Sequence, residues 1–207
     1  MKTLTIIPSR LSASRLPGKP LLKIKGFSII SHVFKKAMEA NIGDVIVATE
    51  DKEIIDEVLK NGGKAILTSK NHKTGTDRIY EAYQKLKIKD LDFIMNLQGD
   101  EPAINIDDII NLNKKMISNK SKMGTLAAKI KDHKDLANKN IVKVITKKKL
   151  CESQFSEARS FLRTSSKIDN IYHHIGIYCY STDTLEKFVK LDQTENEIKY
   201  RLEQLRA

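Results

Sequence analysis

Over its first 119 residues the chain alternates short apolar runs with amphipathic stretches, and no other feature constrains the fold as much. "TLTIIPS" (3–9), "DVIVATE" (44–50), "KAILTS" (64–69) and "DFIMNLQGD" (92–100) read as strands. "SIISHVFKKAMEAN" (28–41), "DKEIIDEVLKNGG" (51–63), "TGTDRIYEAYQKLK" (74–87) and "NIDDIINLNKKMISN" (105–119) carry helical periodicity. Ser28 is placed to cap the first helix, glycine stops the second, and Thr74 or Thr76 lies near the start of the third. Strands joined through helices predict an α/β fold with a mainly parallel sheet. From about residue 124 the pattern changes. "GTLAAKI", "IVKVITKK", "LCESQFS" and "HHIGIYCYS" are strand-like, and the chain closes on helical "DTLEKFVKL" and "NEIKYRLEQLRA". With no repeat or linker, residues 1–207 read as a single domain whose second half adds a mixed-sheet lobe.

Composition excludes several classes. No apolar run approaches the roughly 20 residues of a membrane span, and the N-terminus lacks the pattern of a signal peptide. Cys151 and Cys179 are isolated thiols without CxxC spacing, so a reducing, cytoplasmic setting is expected rather than a disulfide framework. The net charge of +11 invites a nucleic-acid reading, but its source is dispersed: 30 Lys against 7 Arg, with few aromatics between them to stack on bases. A solvated basic surface accounts for it better. The scarce arginines are more telling, since a guanidinium fork suits phosphate or carboxylate.

Two of the seven arginines lie in "RLSASRLPGKP" (10–20), directly after the first strand. Open α/β sheets bind ligands at the carboxyl ends of their strands. The loop is neither GxGxxG nor Walker A, so side chains rather than backbone alone must meet a polyphosphate. Arg10, Arg15 and Lys19 are suited to that, with Pro17 and Pro20 stiffening the loop. Alone, the segment reads equally well as a solvated basic turn. "NLQGDEP" (96–102) ends another strand. Asp100 there could ligate Mg²⁺ that bridges substrate phosphates, although Asp-Glu-Pro is also ordinary turn chemistry. Parallel strands would bring both loops to one edge.

"IIPSRLSASRLPGKPL", "NHKTGTDRI", "NLQGDEP", "HIGIYCY" and "LEQLRA", in that order, resemble the 3-deoxy-manno-octulosonate (Kdo) cytidylyltransferase family, the CMP-Kdo synthetases of lipopolysaccharide biosynthesis. The resemblance runs from residue 3 to 207. It implies a three-layer nucleotide-diphospho-sugar-transferase (Rossmann-like) fold, Mg²⁺ as cofactor, CTP and Kdo as substrates, and a homodimer, with neither nucleic acid nor membrane insertion. It places Arg10, Arg15 and Lys19 on the CTP phosphates, with Thr76 and Arg78 on the nucleotide side. Asp100 matches a magnesium-binding aspartate. Gln98, His174, Tyr178, Glu203 and Gln204 match positions around the sugar acid. Read without the family, His174 is an ordinary core or surface histidine, and Glu203 the i+4 partner of Lys199 on a helix.

Two departures stand out. The family's "FSR" reads "FSE" (155–157), so Glu157 replaces an arginine expected near the sugar carboxylate; Arg159 and Arg163 are the candidates to compensate. Family members also continue past the position of Ala207 with a strand, a "GVDTPEDL"-like segment bearing a second metal-binding aspartate, and a final helix. The chain therefore reads as a C-terminal truncation lacking that strand and helix. The implied reaction is in-line attack of the Kdo 2-hydroxyl on the α-phosphorus of CTP, with Arg10, Lys19 and Asp100 as the catalytic set. The alternatives are an enzyme for an amino- or sialic-type acidic sugar, and an inactive remnant that binds CTP.

Overall fold

The computed structural model describes residues 1–12, 16–151, 155–166 and 169–207. They form two compact units, one of residues 1–124 with 177–189, the other of 125–176 with 190–207. The first opens with β1 (Thr3–Ser9), a small hairpin β2 (Lys23–Ile24) and β3 (Phe27–Ser28), and α1 (Ile29–Glu39). It continues through β4 (Gly43–Thr49), α2 (Lys52–Lys60), β5 (Ala65–Leu67), α3 (Gly75–Leu86), β6 (Phe93–Asn96) and α4 (Ile106–Ser118). Next come β7 (Met123–Ala128), β8 (Lys143–Thr146), β9 (Ala158–Leu162) and β10 (Ile171–Ser181), then α5 (Thr182–Val189) and α6 (Glu195–Tyr200).

In the first unit the strand order is β5-β4-β1-β6-β10, parallel except for β10, which runs antiparallel to β6. Every residue of β1 is buried, as a central strand covered on both faces should be. Leu4 and Ile6 join Ile46, Ala48 and Ile94 against Ile79 and Ala82 of α3 and Leu185 of α5. The other parity faces the opposite layer, where the Thr3 hydroxyl donates to Asn113 Oδ1 of α4 at 2.7 Å and α1 and α2 pack on β4. This is the mainly parallel α/β arrangement expected from the alternation, with the layers that the family resemblance implies.

The helix ends follow local chemistry. Ser28 Oγ accepts the Ser31 N–H, and Thr74 rather than Thr76 caps α3, in a reciprocal capping box with Asp77. After α2, Gly62 at φ +76 lets its own N–H reach the Leu59 carbonyl at 3.0 Å, and the Gly63 N–H reaches Val58 at 2.9 Å.

In the second unit the first half of β10 pairs antiparallel with β8, and β8 with β9. Lys143 is fully buried, and its ammonium donates to the carbonyls of Asn138, Ile141 and Arg163 at 2.6, 2.7 and 3.0 Å, which satisfies all three protons. Glu197 and Arg206 form a buried two-point ion pair at 2.5 and 2.8 Å.

Three elements differ from expectation. The strand expected over 92–100 stops at Asn96; one more ladder-like bond, Leu97 N–H to the Ile6 carbonyl, precedes a turn through Gln98–Glu101. The strand expected at "LCESQFS" lies instead at Ala158–Leu162 among the described residues, and 152–154 fall outside them. The final helix breaks at Arg201, which is left-handed at φ 52, because Arg163 donates to the carbonyls of Tyr200 and Arg201 that a continuing helix would use. Lys199 and Glu203 therefore share no helix. No helix among the described residues is long and apolar enough to cross a membrane.

Gly43 opens β4 at φ +148, opposite Thr3, and an added Cβ would stand 1.9 Å from the Thr3 carbonyl oxygen. Gly43→Ala is expected to cost roughly 3 kcal/mol, since a backbone carbonyl cannot yield as a side chain does. A urea midpoint unchanged by the substitution would contradict the pairing of Gly43 with Thr3.

Candidate active site

The carboxyl ends of β1 and β6 and the turn into α3 enclose a cleft of about 250 Å³ within the first unit. Ser9, Arg10, Lys19, His72, Thr74, Arg78, Gln98 and Asp100 supply its polar lining. The loop after β1 is held by its own backbone. Gly18, at φ +71, donates to the Leu11 carbonyl at 3.0 Å, and Lys19 N–H to Leu16 at 3.2 Å. The Leu11 N–H is anchored on Asp51 Oδ2 at 2.7 Å. Pro20 is buried in the short helical turn Lys19–Leu21, which fixes the base of the Lys19 side chain.

Glycine sets the position of Asp100. A Cβ on Gly99 would lie 2.8 Å from the Pro8 carbonyl oxygen and 3.2 Å from Ser9 Cβ, so only glycine lets this turn rest on the end of β1. Lys19 Nζ then reaches Asp100 Oδ2 at 2.8 Å. Next to this pair, burial and the Asp100 charge raise the pKa of Glu101, with Lys19 acting in the opposite sense. Ser9 Oγ is buried in the cleft with no hydrogen-bond partner among the described residues. An orphaned hydroxyl of this kind is what an absent polar ligand leaves behind.

Arg10, Lys19, Gln98, Asp100 and Arg78 are thus brought together, whereas Arg15 lies outside the described residues. Thr76 is buried in the first turn of α3 and does not line the cleft; Thr74 does. Arg78 is almost wholly occupied by the protein. It pairs with Glu50 and donates to Thr68 Oγ1 at 2.6 Å and to the Ser69 carbonyl at 3.2 Å. Its guanidinium ties the ends of β4 and β5 to α3.

Among the described residues Asp100 is the single carboxylate lining the cleft, and no group of three or more His, Cys, Asp or Glu could cage a metal. Mg²⁺ does not need a cage, being commonly held by one or two carboxylates together with substrate phosphates. With Oδ2 on Lys19, Asp100 keeps its second oxygen for a cation. The donor set fits a cation completed by its substrate.

The remaining expected residues divide between the units. Tyr178 is in the first, buried and stacked on Tyr180 with ring centroids 5.8 Å apart. His174, Glu203 and Gln204 are in the second. The Thr125 hydroxyl donates to the Ile175 carbonyl at 3.1 Å and is hydrogen-bonded to His174 Nε2 at 3.1 Å. Burial, reinforced by the charge of His173, lowers the His174 pKa to about 4. Glu203 and Gln204 sit in a short helical turn, Glu203–Arg206. Glu157 pairs with Lys147 at 3.1 Å on an exposed surface, and Arg163 is engaged by the carbonyls of Lys139, Tyr200 and Arg201.

Sequence reasoning passed over His72, Ser9, Glu81 and the anchors Glu50 and Asp51. One signal was available: Thr74, Arg78 and Glu81 recur at i, i+4 and i+7, a single helix face that begins beside "NH".

Residues 4–207 match the family model described as cytidylyltransferase. A 3-deoxy-manno-octulosonate cytidylyltransferase of Nitrobacter winogradskyi is 39% identical over 211 residues, covering 100% of this chain and 82% of that protein. Its counterpart in Thermodesulfovibrio yellowstonii is 41% identical over 222 residues, covering 100% and 86%. Among solved structures, CMP:2-keto-3-deoxy-manno-octonic acid synthetase complexed with CTP superposes with a TM-score of 0.88 at 36% identity, covering 100% of this chain and 85% of that one.

Two outcomes follow from these environments. Arg78→Ala leaves Glu50 buried and unpaired, so it should destabilise the fold by about 3–5 kcal/mol in urea titration; a loss under about 1 kcal/mol would show that the clamp is dispensable. His174 is neutral when folded but takes up a proton on unfolding below its ordinary value of 6.5, so stability present at pH 7 is lost as pH falls from 6.5 toward about 4. Urea midpoints of His174→Gln should vary less over that interval; an identical pH dependence in both proteins would exclude His174 as its source.

Proposed function

The chain belongs to the cytidylyltransferase family, and from that premise we propose that it transfers CMP from CTP to the anomeric 2-hydroxyl of Kdo, releasing pyrophosphate. The relatives at 39% and 41% identity are named for 3-deoxy-manno-octulosonate, and the synthetase of like fold was solved with CTP. CMP-Kdo made in this way is an activated sugar for lipopolysaccharide assembly.

The observation that carries the reading is the convergence of Arg10, Lys19 and Asp100 in one cleft beside the unpartnered Ser9 hydroxyl. A nucleotide triphosphate needs fixed positive charge along its tail. Lys19, based on a proline-stiffened turn, and Arg10, at the end of β1, provide it at the rim of the sheet. As the bond to the leaving pyrophosphate stretches, negative charge accumulates on the leaving oxygens. Cations already in place stabilise that charge without reorganising. Ser9 Oγ donates one further hydrogen bond to the bound tail or ribose. Asp100 would hold Mg²⁺ through its carboxylate, and the ion would supply Lewis-acid polarisation of the reacting phosphate. Arg78 acts by positioning, since its donors already serve Glu50, Thr68 and Ser69. Glu157 gives no special support to an amino sugar, because Lys147 already partners it.

The test is pyrophosphate release from CTP in the presence of Mg²⁺ and Kdo. Lys19→Ala should lower kcat/KM by about 10²–10³, the scale of a lost transition-state donor. Turnover by Lys19→Ala near that of the parent would remove Lys19 from the chemistry, and no Kdo-dependent release by the parent would overturn the assignment.

A further inference from the structure

Asp51 occupies the N-cap position of α2, with the extended backbone (φ −103, ψ 122) that goes with capping. An aspartate there ordinarily turns its carboxylate back onto an N–H of its own first helical turn. Asp51 does not. Its side chain caps nothing in α2, and Oδ2 instead takes the Leu11 N–H at 2.7 Å, from a residue 40 positions away. The Thr49 hydroxyl accepts the Asp51 N–H at 3.1 Å, which ties the residue to the end of β4. Behind it, α2 is rooted by buried Ile54 and Val58. A rigid element thus forgoes a contact that would stabilise it, and spends the same oxygen on a loop of the cleft.

Leu11 is the residue through which both cations of that loop are fixed. Its N–H belongs to the peptide that follows Arg10, and its carbonyl accepts the Gly18 N–H at 3.0 Å, directly before Lys19. The other backbone bonds made by the described residues 11, 12 and 16–19 stay within 11–22. Lys19 Nζ on Asp100 is a second tie, but that ammonium is also the group a phosphate would recruit. With Lys19 recruited, the bond from Leu11 to Asp51 is the one that still holds the loop to the sheet edge. We propose that Asp51 is a positioning residue for the transfer: by accepting the Leu11 N–H rather than capping α2, it sets where Arg10 and Lys19 stand along the triphosphate. The inference rests on the nucleotide reading of the cleft and adds the anchor from which its cations are held.

The experiment compares Asp51→Ser and Asp51→Asn with the parent. Serine is a good N-cap, but its hydroxyl is too short to reach Leu11, so it separates the two duties. Asp51→Ser should lower kcat/KM for CTP at least about tenfold, the scale of a displaced catalytic group. Its urea midpoint should stay within about 0.3 M of the parent, because the regained cap offsets the lost bond. KM for Kdo should change by less than about threefold, since the loss falls on the groups that meet CTP. Asp51→Asn keeps an acceptor at the same reach and should recover most of the lost activity. Hydrogen exchange at the Leu11 and Gly18 amides should quicken in Asp51→Ser and not in Asp51→Asn. Unchanged kcat/KM in Asp51→Ser would overturn the proposal. So would a loss accompanied by a midpoint outside that margin, which would assign Asp51 to fold stability, or equal losses in both variants, which would assign the effect to charge. If the parent shows no turnover with Kdo, the assigned reaction fails, but exchange at Leu11 and Gly18 and the dissociation constant of CTP from titration calorimetry still test Asp51, and unaltered exchange in Asp51→Ser would then overturn its role.

Discussion

The close approach of the Gln98–Asp100 turn to the end of β1 is the constraint on which the cleft depends. A Cβ added to Gly99 would stand 2.8 Å from the Pro8 carbonyl oxygen, closer than side chains are tolerated. Because of that contact, a side chain leaving the β6 side meets one leaving the β1 loop, and Lys19 and Asp100 come to 2.8 Å despite standing 81 residues apart. Both members are partly exposed, so the pair adds only about 0–1 kcal/mol to stability. Its value is positional. The sheet brings the loops to one edge, and a missing side chain lets them touch.

Polar groups are treated differently away from the cleft. Lys143 has three carbonyl acceptors for its three protons, and Glu197 and Arg206 meet at two points. Arg163 closes the end of α6. Within the cleft, by contrast, Ser9 Oγ has no partner among the described residues. Satisfied groups hold a fold together, and unsatisfied ones at a sheet edge mark where a ligand belongs.

Much of this was legible in the chain. The alternation of strands and helices implied an α/β unit with a mainly parallel sheet because each parallel step needs its own crossover. The cations of 10–20 and the carboxylate of "QGD" could be expected at one edge because strand ends share an edge. Other features were beyond sequence reasoning. Nothing local says that Arg78 would be taken up by Glu50, 28 residues away. The break at Arg201 depends on a guanidinium 38 residues distant, and helical periodicity alone ran through it. The end of β6 was overrun because apolar Leu97 continues the strand pattern, while the turn that follows is set by contact with Pro8.

The salt link in the cleft presents one charge of each sign to whatever settles there. A cation can take the second Asp100 oxygen while the ammonium stays on the first, and an anion can share the ammonium with the carboxylate. A solute that brings both signs engages both partners of the link at once.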